Sequence, residues 1–260
     1  MSTTPTTSRA LTGVRALVTA GGQGIGLGIA EHLLRAGAEV AVHYHRSRAG
    51  AEQLLALAGS LGRKALAVAG DLRTRAGAHA VVAEAVTGLG GLSVLVNNAG
   101  SLVRRSSLAE LDEALWQEVI DVNVASMAWV TQAALPHLAQ ARPSAIINLA
   151  SLAGRKGGHG GSLAYATAKG AVLTFTRALA QEVGHQGIRV NALAPGLILG
   201  TSFHTTHTTD ASAAATVAAL PVGRAGTVDD VARVVAFLAS ERDGFIHGAT
   251  IDINGGAYFS

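Results

Sequence analysis

Apolar residues along this chain follow two alternating patterns. Short runs of apolar, often β-branched residues predict buried strands, whereas longer runs with an apolar residue every three or four positions predict amphipathic helices. The predicted strands cover residues 14–19, 38–44, 64–69, 92–96, 144–149, 188–193 and 249–253. The predicted helices cover residues 27–35, 49–61, 75–89, 110–122, 126–140, 165–183 and 229–240. Residues 197–220 are polar and show little periodicity, so they predict a mobile insertion.

The regular alternation of strands and helices predicts the fold class. Strand–helix–strand units are typical of parallel sheets, and near-continuous apolar strands such as residues 144–149 fit a sheet covered on both faces. We therefore expect an α/β protein with a single, doubly wound Rossmann domain over residues 11–260, its seven-stranded parallel sheet carrying helices on both faces. Residues 1–10 are polar and are expected to form a flexible tail.

Composition excludes several classes of function. The 260 residues contain no cysteine, which excludes disulfides, thiolate metal sites and cysteine nucleophiles. The net charge is only +3 and no basic run occurs, so we expect no nucleic-acid partner. No apolar stretch approaches the length of a membrane span, and we expect a soluble, cytoplasmic protein without a membrane partner. His204 and His207 have no carboxylate at ligand spacing, so no metal site is predicted.

A glycine-rich turn, Thr-Ala-Gly-Gly-Gln-Gly-Ile-Gly, follows the first predicted strand at residues 19–26. Glycines there let the backbone bend tightly and approach a pyrophosphate, and the N-terminus of the following helix offers N–H donors. The glycine spacing differs from the commoner dinucleotide fingerprint, and an ordinary glycine loop is the alternative. Its place in the first strand–turn–helix unit favours a dinucleotide site. The residues expected to contact the cofactor here are Thr19, Gly21, Gln23, Gly24, Ile25 and Gly26.

The end of the second strand selects between NAD and NADP. An acidic residue there would bind the ribose hydroxyls and repel a 2′-phosphate, but no acid occurs before Glu52. Arg46 and Ser47 can hold a phosphate instead, so NADP(H) is preferred and NAD(H) is the alternative. Asp71, after the third strand, is expected either to contact adenine or to cap the next helix. The cofactor contacts expected at these strand ends and the fourth are Tyr44, His45, Arg46, Ser47, Asp71, Leu72, Asn98, Ala99 and Gly100.

Tyr165 and Lys169 are four residues apart in a predicted helix, which places the phenol and the ammonium on one face. A neighbouring cation lowers the pKa of a phenol from its usual value of about 10, and such a tyrosine can transfer a proton near neutral pH. The pair alone is a weak signal, because many exposed helices carry this spacing. A hydroxyl, Ser151, and a glycine-rich loop precede it.

Taken together, these motifs resemble the short-chain dehydrogenase/reductase family, and the resemblance covers residues 10–258. The family pattern appears in order as the glycine turn, Asp71, Asn-Asn-Ala-Gly at 97–100, Asn123, Ser151, Tyr-Ala-Thr-Ala-Lys at 165–169, Pro195-Gly196 and Asp-Ile-Asn-Gly-Gly at 252–256. There are two departures. Ala20 replaces the usual glycine, and Ser151 lies one residue further from Tyr165 than is usual. The glycine loop can absorb that residue, and Ser162 is the rival hydroxyl.

The resemblance implies a nicotinamide-dependent oxidoreductase whose catalytic residues are Asn123, Ser151, Tyr165 and Lys169. Tyr165 would exchange a proton with the substrate oxygen, Ser151 would polarise the carbonyl, and Lys169 would lower the tyrosine pKa and hold the ribose. Asn123 would anchor a water that relays protons to Lys169. The resemblance also implies cofactor contacts by Tyr165, Lys169, Pro195, Gly196, Ile198 and Thr201.

The segments expected to wall the substrate pocket are polar. The candidate substrate residues are Ser101, Arg104, His159, Phe203 and His204. The expanded serine loop and the C-terminal ending make the chain similar to the sugar-acid and uronate ketone reductases of the family. We therefore expect reduction of a small polar carbonyl, such as a keto sugar, a uronate-type compound or a keto acid. A carboxylate would pair with Arg104 or Arg105, unless both arginines point to solvent.

Three other functions stay open at this point. One is an NAD-dependent alcohol, polyol or sugar dehydrogenase, and another is an enzyme like the 3-oxoacyl reductases. A dinucleotide-sensing regulator without turnover is the third, but it predicts loss of the Tyr165–Lys169 pair, which this chain retains. The resemblance further implies a homotetramer, or a homodimer, with the tyrosine helix and the last strand at interfaces.

Overall fold

Seven parallel strands form a sheet within residues 10–240 and 244–260, which are the residues that this computed structural model describes. The strands are β1 (Arg15–Val18), β2 (Glu39–Tyr44), β3 (Ala65–Ala69), β4 (Val94–Asn97), β5 (Ser144–Leu149), β6 (Ile188–Pro195) and β7 (Thr250–Ile253). They lie in the order β3-β2-β1-β4-β5-β6-β7, and every neighbouring pair is parallel. The predicted sheet is therefore confirmed.

Helices connect the strands. They are α1 (Gly24–Arg35), α2 (Arg48–Leu61), α3 (Arg75–Leu89), α4 (Glu113–Ile120), α5 (Ser126–Gln140), α6 (Ala153–Lys156), α7 (Leu163–Val183), α8 (Ser202–His207), α9 (Asp210–Ala219) and α10 (Val228–Ala239). Short 3₁₀ turns occur at Leu108–Glu110 and Gly184–Gln186, and a π-helical turn, Asp121–Ala125, joins α4 to α5. Across the described ranges, none of the helices combines the length and the apolar character that crossing a bilayer requires.

Alternate strand residues enter two cores, one on each face of the sheet. In β1, Ala16 and Val18 belong to the core formed with α1, α2 and α10, whereas Leu17 belongs to the core formed with α3, α5 and α7. Because successive side chains point to opposite faces, both sets must be apolar, which explains the apolar run that follows Arg15 in β1. All residues of β5 are buried for the same reason. Helices thus cover both faces, as predicted.

The strand order reverses between β1 and β4, which are neighbours in the sheet although β2 and β3 intervene in the chain. In open parallel sheets, such a reversal leaves a crevice at the carboxyl ends of the strands. The residues that directly follow β1, β4, β5 and β6 meet at this edge, and they are Thr19, Asn98, Ala150 and Gly196. The topology therefore gathers the glycine turn, the Asn-Asn-Ala-Gly segment and the residues around Ser151 in one place.

Helices also form where the hydrophobic pattern predicts none. α6 lies in the glycine loop, and α8 and α9 occupy most of residues 197–220. α9 is rich in alanine, Thr209 Oγ1 accepts a hydrogen bond from Ser212 N (3.2 Å), and none of its residues is buried. Alanine and an N-cap stabilise a helix that has no apolar face, so periodicity does not reveal it. The mobility of residues 197–220 stays a prediction.

The helix predicted at residues 110–122 begins only at Glu113, because the Asp112 carboxylate caps it by accepting from Leu115 N (2.7 Å). The predicted tail over residues 1–10 lies, apart from Ala10, outside the described residues.

Candidate active site

The Thr19 hydroxyl fixes the end of β1 to the end of β4. It donates to the Val96 carbonyl (3.2 Å) and accepts from the backbone N–H groups of Asn98 (2.9 Å) and Ala99 (3.0 Å). The Asn98 side-chain amide donates in turn to the carbonyls of Thr19 (3.0 Å) and Ala20 (3.2 Å). These bonds hold the glycine turn against the Asn-Asn-Ala-Gly segment.

The glycine turn presents bare backbone at the start of α1. A Cβ at Gly26 would overlap the Asn98 amide nitrogen and the Ala20 carbonyl oxygen. Gln23, which precedes α1, makes no side-chain cap bond to the first N–H groups of the helix. These donors and the positive end of the helix dipole suit a phosphate group.

His43, which is not among the predicted site residues, supports the glycine turn. Its Nδ1 accepts from the N–H of Ala20 (3.0 Å), and its Nε2 lies 3.1 Å from the Gly70 carbonyl oxygen. Nε2 must therefore carry the ring proton, and burial, the largest cause, lowers the pKa of His43. Ala20 has a φ of +48°, which L residues rarely adopt, so the imidazole holds a strained turn in place. The available signal was a polar residue within an otherwise apolar strand.

The segment after β2 carries the predicted phosphate contacts. Tyr44 ends β2, and His45, Arg46 and Ser47 lead into α2. Arg46 is exposed, and Ser47 makes no side-chain cap bond to α2. A Cβ at Gly22 would overlap the Ser47 carbonyl oxygen, so the glycine turn packs directly against this segment. A guanidinium, a hydroxyl and a helix N-terminus are therefore grouped beside the turn.

Asp71 forms an ion pair with Arg73, whose Nη2 lies 2.7 Å from Asp71 Oδ2. Hydrogen bonding from this guanidinium lowers the pKa of Asp71 to about 2. The N-cap of α3 is Thr74, whose Oγ1 accepts from Gly77 N (3.1 Å), so the interpretation of Asp71 as the cap of that helix is wrong. The neighbouring Leu72 is buried. Contact of Asp71 with adenine stays a prediction.

Ser151, Tyr165 and Lys169 lie together after the end of β5. Tyr165 stands in the first turn of α7, beside the Ser151 hydroxyl. Lys169 is buried, its Nζ donates to the Leu149 carbonyl (2.8 Å), and it lies 5.8 Å from the centre of the Tyr165 ring. The helical spacing thus places the phenol and the ammonium side by side.

The protonation of this pair differs from the sequence-based expectation. Burial raises the pKa of Tyr165 to about 12, and only the hydrogen bond with Ser151 opposes that shift. Burial lowers the pKa of Lys169 to about 8. The net shift of the tyrosine pKa is therefore upward, opposite to the predicted lowering, because desolvation is the largest cause. At pH 7 the site offers a neutral phenol as proton donor beside a protonated ammonium.

Asn123 lies in the π-helical turn between α4 and α5, an irregularity frequent at functional sites. Its amide nitrogen donates to the carbonyls of Ser101 (2.7 Å) and Val119 (2.9 Å), and its oxygen accepts from Ser101 N (3.2 Å). A Cβ at Gly100 would lie 2.7 Å from Asn123 Oδ1 and 2.8 Å from Lys169 Nζ. The side chain therefore holds the segment beside Lys169, and its part in anchoring a relay water stays a prediction.

The two candidate serines have different surroundings. Ser162 Oγ donates to the His159 carbonyl (2.6 Å) and accepts from His159 N (3.0 Å), so it closes a turn of the loop. Ser151 Oγ accepts from Ala153 N (3.1 Å), and it is the hydroxyl that lies beside the Tyr165 phenol. This geometry favours Ser151.

Arg155, unnoticed in the sequence, anchors the segment that follows Ser151. Its Nε and Nη2 donate to the two carboxylate oxygens of Asp252 in β7, at 3.1 and 2.7 Å. The Tyr258 ring lies 5.5 Å from the guanidinium. This bidentate pair fixes α6 on the sheet.

A cavity of about 560 Å³ opens beside Tyr165, between the glycine turn, the serine loop and α8. The predicted catalytic and cofactor residues that line it are Gln23, Gly24, Ile25, Gly26, Asn98, Gly100, Ser151, Tyr165, Lys169, Pro195, Gly196 and Thr201. Other predicted residues stand behind this lining. A Cβ at Gly21 would overlap the Val42 side chain. Ile198 is buried in the core, and its carbonyl oxygen accepts a hydrogen bond from Thr201 Oγ1 (3.2 Å).

The predicted substrate residues divide into two groups. His159, Phe203 and His204 line the cavity, and the Phe203 ring centre lies 5.7 Å from that of Tyr165. Ser101 and Arg104 are absent from the described lining. Arg104 instead forms a half-exposed ion pair with Asp112 (2.6 Å), which corrects its assignment to the pocket.

Arg105 occupies the cavity wall in place of Arg104. Its Nη1 donates to the Gly160 carbonyl (2.8 Å) and its Nη2 to the His207 carbonyl (3.1 Å), so it bridges the serine loop and α8. Among the residues described, no group of three or more His, Asp or Glu side chains is arranged to hold a metal ion.

Sequence comparison relates nearly the whole chain to known reductases. The family model described as enoyl-(acyl carrier protein) reductase matches residues 19–258. The chain is 37% identical over 243 residues to the 3-oxoacyl-(acyl carrier protein) reductase of Staphylococcus aureus, which covers 94% of this chain and 97% of that protein.

Solved structures show the same fold. A short-chain dehydrogenase from Burkholderia cenocepacia in complex with NADP has a TM-score of 0.89 at 34% identity, covering 95% of this chain and 99% of that one. The NADH-dependent reductase A1-R′, described as responsible for alginate metabolism, has a TM-score of 0.88 at 32% identity, covering 97% and 100%. Both sequence and fold are therefore similar to those of this group over nearly the full length.

Proposed function

The chain belongs to the short-chain dehydrogenase/reductase family, and from that premise we propose that it reduces small polar ketones or aldehydes with NADPH. It is an NAD(P)-dependent oxidoreductase acting on alcohol and carbonyl groups. One observation carries the proposal. Ser151, Tyr165 and the buried Lys169 together line the wall of the cavity that also exposes the glycine turn.

The residues at the glycine turn fit a dinucleotide. The bare backbone at Gly26 and the uncapped N–H groups of α1 would bind the pyrophosphate, and Lys169 would contact the nicotinamide ribose. The bound cofactor would supply the hydride that reduces the carbonyl carbon. Gly100 lets Asn123 and Lys169 pack directly against the backbone at this point, because a Cβ there would overlap both side chains.

Tyr165 is the proposed general acid. Its phenol is neutral at pH 7, so it can donate a proton to the substrate oxygen as negative charge develops there. Ser151 would donate a hydrogen bond to the same oxygen and polarise the carbonyl. The Lys169 ammonium, held by the Leu149 carbonyl, would stabilise the phenolate that remains. Asn123 holds the adjoining backbone in position.

The segment after β2 supports a preference for NADPH. The Arg46 guanidinium and the Ser47 hydroxyl, which makes no cap bond to α2, are suited to a 2′-phosphate. No carboxylate occupies that stretch to repel it. The Burkholderia cenocepacia relative is described in complex with NADP, whereas A1-R′ is described as NADH-dependent. The proposed preference for NADPH over NADH therefore rests on the residues of this chain.

A second candidate function is reduction of a 3-oxoacyl thioester. It is favoured by the 37% identity to the Staphylococcus aureus enzyme and by the Phe203 ring beside Tyr165, which offers an apolar wall to an acyl chain. The many polar residues elsewhere in the lining favour the smaller polar carbonyl.

A substrate panel tests the proposal. Keto sugars, keto acids, quinones and a 3-oxoacyl thioester are offered with NADPH and then with NADH, and cofactor absorbance is followed. We expect a small polar carbonyl to give the highest kcat/KM, with NADPH favoured by about tenfold or more, because charge-assisted hydrogen bonds contribute about 1.5–3 kcal/mol. Preference for the thioester selects the second candidate, and preference for NADH removes the role of Arg46.

We further propose a homotetramer located in the cytoplasm. Exposed aromatic side chains support self-association, since Phe237 on α10 is 45% exposed and Phe245, just before β7, is fully exposed. β7 also forms one edge of the sheet, where a second copy can pack.

A further inference from the structure

The walls of the cavity carry positive and imidazole side chains. Those lining it near the serine loop and α8 are Arg105, Lys156, His159, His204 and His207. Among the described lining residues there is no aspartate or glutamate. A cavity with cations and without carboxylates attracts anions.

Arg105 is held in a defined position within this cluster. Its bonds to the carbonyls of Gly160 and His207 tie the serine loop to α8, and they use only part of the guanidinium's set of N–H donors. Neither partner is a carboxylate, so the positive charge is not neutralised by these contacts. A planar, fixed guanidinium of this kind suits a carboxylate with two parallel hydrogen bonds.

The two histidines of α8 complete the wall between Arg105 and Tyr165. Burial lowers the pKa of both His204 and His207, so they are neutral hydrogen-bonding groups at pH 7 and the charge comes from Arg105 and Lys156. The Phe203 ring centre lies 5.7 Å from that of Tyr165 and 5.2 Å from that of His207. A substrate can therefore cross the Phe203 face from one polar end to the other.

We propose that Arg105 recognises an anionic group, a carboxylate, of a substrate whose carbonyl is reduced at Ser151 and Tyr165. The carbonyl and the carboxylate are separated by a short carbon chain that packs on Phe203. This assignment rests on the proposed reductase function and adds the charge of the substrate to it.

Pairs of oxo acids and their primary amides test the assignment with NADPH. The probes are 2-oxopropanoate, 4-oxopentanoate and 6-oxoheptanoate, each compared with its amide in the wild type, in Arg105→Gln and in Arg104→Gln. In the wild type we expect at least one acid to exceed its amide in kcat/KM by about tenfold or more, and this difference should lie in KM. Arg105→Gln should remove the preference for the acid. Arg104→Gln is the matched control, because Arg104 pairs with Asp112 outside the cavity, and it should keep the preference.

The outcomes separate this assignment from the function on which it rests. Amides reduced as well as acids at every length overturn the anion site and leave the reductase function intact. Equal loss of acid and amide turnover in Arg105→Gln also overturns the anion site, because Arg105 would then only link the serine loop to α8. If neither acids nor amides are reduced while another carbonyl compound of the substrate panel is, the anion site fails and the reductase function stands. If no carbonyl compound of the panel is reduced either, both proposals fail.

Discussion

Replacing Tyr165 with phenylalanine is expected to lower kcat for carbonyl reduction by about 10²- to 10⁴-fold, the usual contribution of a positioned general acid. The ring and its contact with Phe203 are retained, so the fold and the binding of NADPH should change little. Only the phenolic hydroxyl, which lies beside Ser151, is lost. Steady-state kinetics, with NADPH titration by fluorescence and thermal melting as checks, measures the effect.

Tyr258→Phe is the matched control for this variant. Tyr258 lies near the C-terminus, and its ring packs against the Arg155 guanidinium. Tyr258→Phe should leave kcat unchanged. A Tyr165→Phe protein as active as its parent would remove the tyrosine from the mechanism.

Gly26→Ala is expected to have the largest effect on cofactor binding. The added Cβ would overlap the Asn98 amide nitrogen and the Ala20 carbonyl oxygen, which belong to the bonds that fix the glycine turn. Such overpacking costs about 1–3 kcal/mol in the free energy of unfolding. The turn must also shift, so the Kd for NADPH should rise by about tenfold or more, equivalent to about 1.4 kcal/mol. Urea unfolding and NADPH titration measure the two effects.

Gly59→Ala provides the comparison in α2. No atom lies within 4 Å of a Cβ at that position, and alanine should raise the free energy of unfolding by about 0.5–1 kcal/mol without altering the Kd for NADPH. If Gly26→Ala binds NADPH as tightly as the parent, the glycine turn does not hold the cofactor.

The sheet and the position of the site follow directly from the sequence. Strands buried on both faces are apolar over most of their length, so their runs are visible without any structural information. In a doubly wound sheet the carboxyl ends of the strands meet at one edge, which brings Thr19, Asn98 and Ser151 together although they are distant in the chain. The motif residues are therefore predictable as a group.

The orientation of individual side chains is harder to predict from the sequence. Arg104 and Arg105 are adjacent and alike in sequence, yet one pairs with Asp112 and the other lines the cavity. Val103, just before them, has a φ of +62°, a backbone turn that no pattern of polar and apolar residues reveals. The bond from Ala20 to His43 likewise depends on β1 and β2 lying side by side.

The pKa of Tyr165 shows a further limit. The helical spacing correctly places Lys169 beside it, but the extent of burial sets the direction of the shift. Burial is a property of the whole fold, because it depends on every segment packed over the site. Sequence spacing alone therefore gives the neighbours of an ionisable group and leaves its protonation open.

The most direct test of the account follows the hydride. NADPH carrying deuterium at C4, prepared as each of the two stereoisomers, is incubated with the best carbonyl substrate of the panel, and the alcohol is examined by mass spectrometry and NMR. The account predicts deuterium on the carbinol carbon from one stereoisomer only, with product formation lost in Tyr165→Phe. Binding of NADPH without any alcohol product, or an alcohol without deuterium at that carbon, would contradict it.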